Sequence, residues 1–332
     1  MDYNKIIQDL KKKIYHPVYL LHGDEPFFID KISDYIEKNI LDESEKGFDQ
    51  VVAYGKDIEI RALMSSLKQY PSLGTYRVVV VKEAQDIRQL ELLEEYLNQP
   101  MKSTILAISY KHKKLDKRKR FYKLAAKTGV VFESKPIYSN KIPEWITKHL
   151  KSLGYDINEK SALLLSEYLG NNLSKITNEI NKMLINIGDK KSIDENDIEK
   201  NIGISKDYNI FELQDALGER NIVKVNQIIN YFNANPKDHP AVMVVAMLYN
   251  YFQKLFLYHF LSDKSKQGVA SKLGVPMGFV YKYKQAAVNY PAKKLSKIMR
   301  DLRIYDLKAK GLDNVSTSSG ELLRELAFKI TH

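Results

Sequence analysis

The chain has 332 residues, no cysteine and a formal net charge of +11, from 52 Lys and Arg against 41 Asp and Glu. The missing thiols exclude disulfides, zinc–thiolate sites and cysteine nucleophiles, and fit a reducing compartment such as the cytoplasm. With 44% hydrophobic and 28% charged residues it reads as a soluble globular chain long enough for two or three domains, and its basic excess favours a polyanionic partner such as nucleic acid.

The first residues lack a charged segment leading into an apolar core, so no signal peptide is expected. Val18 to Leu21 is a short apolar strand. Pro26 to Asn39 follows as a helix with Phe28, Ile32 and Ile36 at four-residue spacing. Val51 to Tyr54 is a second strand. Ile58 to Tyr70 is an amphipathic helix carrying Ile60, Leu63, Met64 and Leu67 on one face. Arg77 to Val81 is a central strand apolar on both faces, Ile87 to Leu97 a helix, "STILAISY" a strand and "VVFES" the last strand. Strands alternating with helices imply an α/β domain with a parallel sheet, assigned to residues 1–139.

Pro136 and the polar "YSNKIPEW" mark a boundary, after which no strand is expected. Helices are predicted over Ile142–Leu153, Glu159–Leu169, Leu173–Ile187 and Asp194–Asn201, forming a small helical domain over residues 140–208. Ser205–Asn209 reads as a linker. Residues 209–332 read as an all-α domain, with helices over Phe211–Gly218, Asn221–Asn233, Ala241–Ser262, "GVASKLG", Gly278–Tyr290, Ala292–Lys310 and Gly320–Lys329. The longest apolar run, 241–261, contains Asn250, Gln253, Lys254 and His259, and is therefore a buried bundle helix rather than a membrane span.

The loop "HGDEPFFID" lies between strand and helix, where nucleotide-binding proteins wrap phosphate with backbone N–H groups and a lysine. Here it offers one glycine, Gly23, and two carboxylates, Asp24 and Glu25, which suit the helix N-terminus and would repel phosphate. The strand that should end in magnesium-binding acids ends in "VVVVKEAQ", with Lys82 in the metal-binding position and Glu83 alone beside it. Both halves of the nucleotide chemistry are missing together. The seven histidines have no metal-ligand spacing and there is no G-x-S-x-G elbow, so no catalytic residue, metal or cofactor is expected.

Three stretches are candidates for binding. The basic run at 111–123 contains Lys111, Lys113, Lys114, Lys117, Arg118, Lys119 and Arg120; it is either a solvated loop and helix start or a surface for phosphates or a partner. Tyr281, Lys282, Tyr283 and Lys284 interleave aromatics with lysines, either to stack bases or as a half-buried helix. In "KQYPSLGTYRVVVV", Pro71 stops the helix and Gly74 is expected to permit a sharp turn. Leu73 between them either folds back on the helix or anchors a partner's pocket.

Taken in order, these segments resemble the delta subunit of the bacterial DNA polymerase III clamp loader, an AAA+-like family. "VYLLHGDEPFFIDK", "YPSLGTYRVVVV", "KHKKLDKRKRFYKLAAKTG", "LGNNLSKITNEINKML", "IFELQDALGERNIVKVNQIINYF" and "VASKLGVPMGFVYKYKQAAVNYP" look like successive family segments, and "IYDLKAKG" with "ELLRELAFKI" completes the set. The resemblance covers nearly the whole chain. It implies an AAA+-like frame that does not bind or hydrolyse ATP, a small lid-type domain and a helical collar for hetero-oligomerisation. The implied partners are the sliding clamp (beta subunit), the gamma/tau motor subunits, delta-prime and primed DNA within the complex, with no membrane. It also implies that the turn after the amphipathic helix grips the clamp and opens its ring. The family's two adjacent apolar contact positions fall on Ser72 and Leu73, so Leu73 would carry most of the plug, with Tyr70 or Tyr76 beside it and Gly74 in the turn. The alternative is a stand-alone nucleic-acid-binding protein on a degenerate nucleotide frame.

Overall fold

The computed structural model describes residues 1–188, 190–205, 207–314 and 316–332, and the chain divides into two compact units, Met1–Ile137 and Tyr138–His332. The predicted linker Ser205–Asn209 includes Lys206, which lies outside the described residues.

In the first unit the elements run α1 (Tyr3–Lys11), β1 (Val18–Gly23), α2 (Pro26–Asn39), α3 (Glu43–Asp49), β2 (Gln50–Tyr54), α4 (Ile60–Leu67), β3 (Arg77–Lys82), α5 (Glu94–Asn98), β4 (Thr104–Lys111), α6 (Arg120–Thr128) and β5 (Val130–Ser134). The five strands form one sheet in the order β2-β3-β4-β1-β5 with every pairing parallel. Alternation along the strands feeds two cores. Val18, Leu20, Val79, Val81, Leu106 and Ile108 pack with Leu63 and Leu67 of α4, Leu97 of α5 and Phe121 of α6. Tyr19, Leu21, Val78, Val80, Ile105 and Ala107 pack with Ile6 and Leu10 of α1 and Ile29, Ile32 and Ile36 of α2. A strand buried on both faces needs apolar residues at every position, which explains the unbroken "VVVV".

Local signals account for several boundaries. Helix α2 starts at Pro26 because Glu25 is extended and its carboxylate accepts the N–H of Phe27, while proline fills the first turn. Two helices escape the sequence reading, α1 and α3. Asp2 caps α1, and Asp42 with Glu45 forms a capping box at the start of α3. The helix expected over Ile87–Leu97 is instead broken. Gln89 adopts a left-handed φ of 61°, a 3₁₀ turn spans Leu90–Leu93, and only α5 continues as α-helix.

The second unit contains α7 (Ile142–Ser152), β6 (Asp156–Ile157), α8 (Glu159–Leu169), α9 (Leu173–Asn186), β7 (Ser192–Ile193), α10 (Glu195–Ile202), α11 (Ile210–Gly218), α12 (Ile222–Ala234), α13 (Ala241–His259), α14 (Lys266–Leu273), α15 (Val280–Asn289), α16 (Ala292–Ala309) and α17 (Ser319–Thr331). The expectation of no strand here is corrected: β6 and β7 pair in parallel over two residues each, joining the approaches to α8 and α10. They are too short to leave a periodic signal. Helices α11–α17 share one core that includes Phe232, Phe252, Tyr290, Leu302 and Leu326. Helix α13 has the length and composition to cross a membrane, yet Val244, Val245, Leu248, Phe252 and Leu255 are buried in that core. It is the central packing helix of the bundle, as its polar residues imply.

Candidate functional site

The strand–loop–helix frame at Gly23 is built for close packing of strands. Gly23 has φ +137°, and a Cβ there would lie 2.0 Å from the backbone oxygen of Ser134 on β5. The residues of the loop are already engaged. Glu25 caps α2, and Asp24 pairs with Lys114 at 3.0 Å. Burial raises the Glu25 carboxyl, against the opposing hydrogen bond from Phe27.

Two lysines, Lys82 and Lys111, close the ends of β3 and β4. Lys82 Nζ lies 2.6 Å from Glu37 and 3.4 Å from Asp34, both on α2. Lys111 Nζ lies 2.6 Å from Asp30 on α2 and 2.7 Å from Glu83. Burial works against the charge on both lysines, but their carboxylate partners outweigh it and raise both above the ordinary lysine value. Glu83 is held low: burial opposes this, and its hydrogen bonds from Lys111 and Gln85 outweigh burial. Side-chain cations and carboxylates thus neutralise one another across this end of the sheet.

This arrangement corrects one expected grouping. Lys111 is a largely buried member of that ion-pair network rather than part of a free basic surface. Elsewhere in the run, Lys117 pairs with Glu133 at 2.8 Å, Arg118 with Asp116 at 2.8 Å and Arg120 with Glu94 at 3.7 Å. Lys113 and Lys119 are exposed. Most of the positive charge in the run therefore has an acidic partner of its own. The other aromatic–lysine stretch also divides. Tyr283 is buried beside Tyr251, Lys282 pairs with Asp215, and Tyr281 faces solvent.

The turn at 70–76 has a different character. Helix α4 stops at Leu67, and Tyr70 and Leu73 stand out at 77% and 62% exposure. Three successive amides point at one buried carboxylate. Asp49 accepts the N–H of Ser72 at 2.6 Å, of Leu73 at 2.9 Å and of Gly74 at 3.0 Å. Consecutive N–H groups of this kind form an anion-binding nest, and here the anion comes from the same chain. Arg77, also buried, donates to the Ser66 carbonyl and hydroxyl at the end of α4 and to the Phe48 carbonyl. Burial by itself would raise the Asp49 carboxyl. The three N–H donors and the Arg77 charge outweigh burial and hold it below the ordinary aspartate value. Its charge-dependent hold is thus complete above that ordinary value and is lost only as pH falls through the lower folded one.

The structure places the expected turn residues unequally. Ser72, Leu73 and Gly74 share the Asp49 carboxylate, and Tyr70 projects beside them in sequence. Tyr76 instead turns inward, edge-on to Tyr15 with centroids 5.4 Å apart. Gly74 is not in the left-handed region that a sharp glycine turn would use. A Cβ there would meet Glu45 Oε1 at 2.5 Å, the far end of a flexible side chain that would have to shift. Sequence reasoning missed Asp49 and Arg77, which brace the turn, and Phe48, which is 64% exposed next to Asp49. Asp49 lies 23 to 25 residues from its three partners, beyond any local pattern.

The family model for the DNA polymerase III delta subunit matches residues 19–135, and the model for that subunit's C-terminal domain matches residues 207–323. A curated relative, DNA polymerase III subunit delta of Bacillus subtilis, is 23% identical over 315 residues, covering 91% of this chain and 90% of the relative. Among solved structures, the Bacillus subtilis DNA clamp loader delta protein has a TM-score of 0.56 at 22% identity and covers 99% of both chains. A Thermotoga maritima RuvB structure has a TM-score of 0.38 at 11% identity over 86% of this chain and 83% of that one. The parallel-sheet unit followed by a mainly helical one is an AAA+-like architecture. Within that class, the chain belongs to the DNA polymerase III delta-subunit family.

Proposed function

We propose that this chain grips a ring-shaped sliding clamp through the 70–76 turn and opens one interface of the ring, so that motor subunits can load it on primed DNA. The observation that carries this reading is the turn itself: an exposed Leu73 and Tyr70 on backbone pinned by a buried carboxylate. A preorganised turn loses little freedom on docking, so an apolar side chain there can act as an anchor. The likeness to the Bacillus subtilis DNA clamp loader delta protein supports the same reading.

Burying one leucine contributes about 1.5–3 kcal/mol, too little to hold a ring open alone. Opening follows if the rest of the first unit fits the open ring better than the closed one, since only differential affinity shifts an equilibrium. The neutralised lysine–carboxylate network at Lys82 and Lys111 fits a subunit that leaves ATP hydrolysis to the gamma/tau partners. In this reading residues 140–208 form the lid-type domain and 209–332 the collar that joins the motor subunits and delta-prime, in the cytoplasm. The test is binding of the purified chain to its cognate clamp without nucleotide. Binding at micromolar clamp supports the reading, and no binding at that concentration rejects it.

A further inference from the structure

We infer that Asp49 is the positioning residue of the clamp-binding turn: its carboxylate, by filling the nest of Ser72, Leu73 and Gly74 amides, keeps Leu73 presented to the partner. This rests on the clamp reading above and adds to it how the contact is held ready. Ser72 and Leu73 are exposed and the turn belongs to no helix or strand, so its amides have no ladder to hold them. The Asp49 carboxylate is the acceptor for all three. Asp49 ends α3, and β2 follows it directly, so the acceptor sits on the rigid sheet scaffold. Arg77, at the first residue of β3, faces the same carboxylate and ties the Phe48 carbonyl to the end of α4. The turn is therefore braced at both ends and in the middle.

The geometry requires three acceptor contacts from one group. An ionised carboxylate has two oxygens that only accept, whereas an amide of the same shape offers one accepting oxygen and an NH₂ that would meet donors. Asp49→Asn keeps the volume and reverses half of the hydrogen bonding. Leu73 would then be displayed by a loose loop, and ordering it would draw on the binding energy.

The experiment has two readouts. Hydrogen exchange on the free wild-type chain should find the Ser72, Leu73 and Gly74 amides slowed about ten-fold or more relative to an unstructured chain. Amides exchanging as in an unstructured chain would overturn the inference without any variant being made. Clamp affinity is then measured for wild type, Asp49→Asn, Leu73→Ala and the double variant. Asp49→Asn should free the three amides and weaken binding about ten-fold. In the Leu73→Ala background it should change affinity by less than about two-fold, because the residue acts through Leu73. Freed amides with unchanged affinity, or an undiminished loss in the Leu73→Ala background, would overturn the positioning role while leaving the clamp reading intact. A wild-type chain that does not bind the clamp would reject both, whatever the exchange rates.

Discussion

Leu73→Ala separates a display residue from a packing residue, because the two roles predict opposite patterns of loss. Leu73 is 62% exposed in the free chain. Full burial of a leucine side chain is worth about 1.5–3 kcal/mol, so the exposed share leaves about 1–2 kcal/mol to be gained on docking. Truncation should therefore raise the Kd for the clamp by about 5- to 30-fold. The same truncation removes only the smaller, already buried share from the folded chain, so its unfolding free energy should shift by no more than about 1 kcal/mol. The backbone amides on Asp49 are untouched, which keeps the turn in place. Clamp titration by fluorescence anisotropy or calorimetry, paired with urea unfolding, reads both quantities. A large loss of stability with unchanged affinity would assign Leu73 to the fold and remove it from the contact.

Two further outcomes concern the scaffold that carries the turn. Gly23→Ala combines a positive φ with a backbone oxygen 2.0 Å from the new methyl, so β1 and β5 must separate. It should cost about 2–4 kcal/mol in urea unfolding, and a neutral effect would refute the packing account of that glycine. In the second unit the fully buried Tyr290 donates its hydroxyl to the Leu217 carbonyl at 2.7 Å, and burial raises the phenol to about 12. Tyr290→Phe should cost about 1 kcal/mol, because Leu217 O keeps the Arg220 N–H as a donor. A loss several times larger would mean that the hydroxyl organises more of the bundle than this one bond.

Much of the fold is legible in the sequence because its signals are local. Pro26 behind Glu25 marks the start of α2, and the valines of β3 alternate between two cores. Glu159–Leu169 and Val130–Ser134 emerge with the predicted bounds. The elements that escape a sequence reading lack such signals or depend on distant residues. The β6–β7 pair has two residues per strand, and the break at Gln89 depends on a backbone conformation that composition does not encode. The candidate site divides in the same way. The turn after Pro71 can be read from the sequence, as can the missing phosphate chemistry. Whether Leu73 folds back or faces solvent is left open there, and only the structure shows it exposed. The partners of the basic run cannot be read there either, since Lys111 looks like any other surface lysine until Asp30 on α2 and Glu83 after β3 close around it. Tyr76 groups with the turn by nearness in sequence, yet the strand that follows carries it inward against Tyr15.

If this chain opens a ring by binding it, without nucleotide chemistry of its own, the opening itself can be watched. A distance-sensitive fluorophore pair is placed across one interface of the cognate clamp, and the purified chain is added in the absence of ATP. A saturable increase in separation is expected at micromolar chain, reduced by Leu73→Ala. Binding with the interface still closed, or opening that requires ATP and magnesium with this chain alone, would overturn the proposed role.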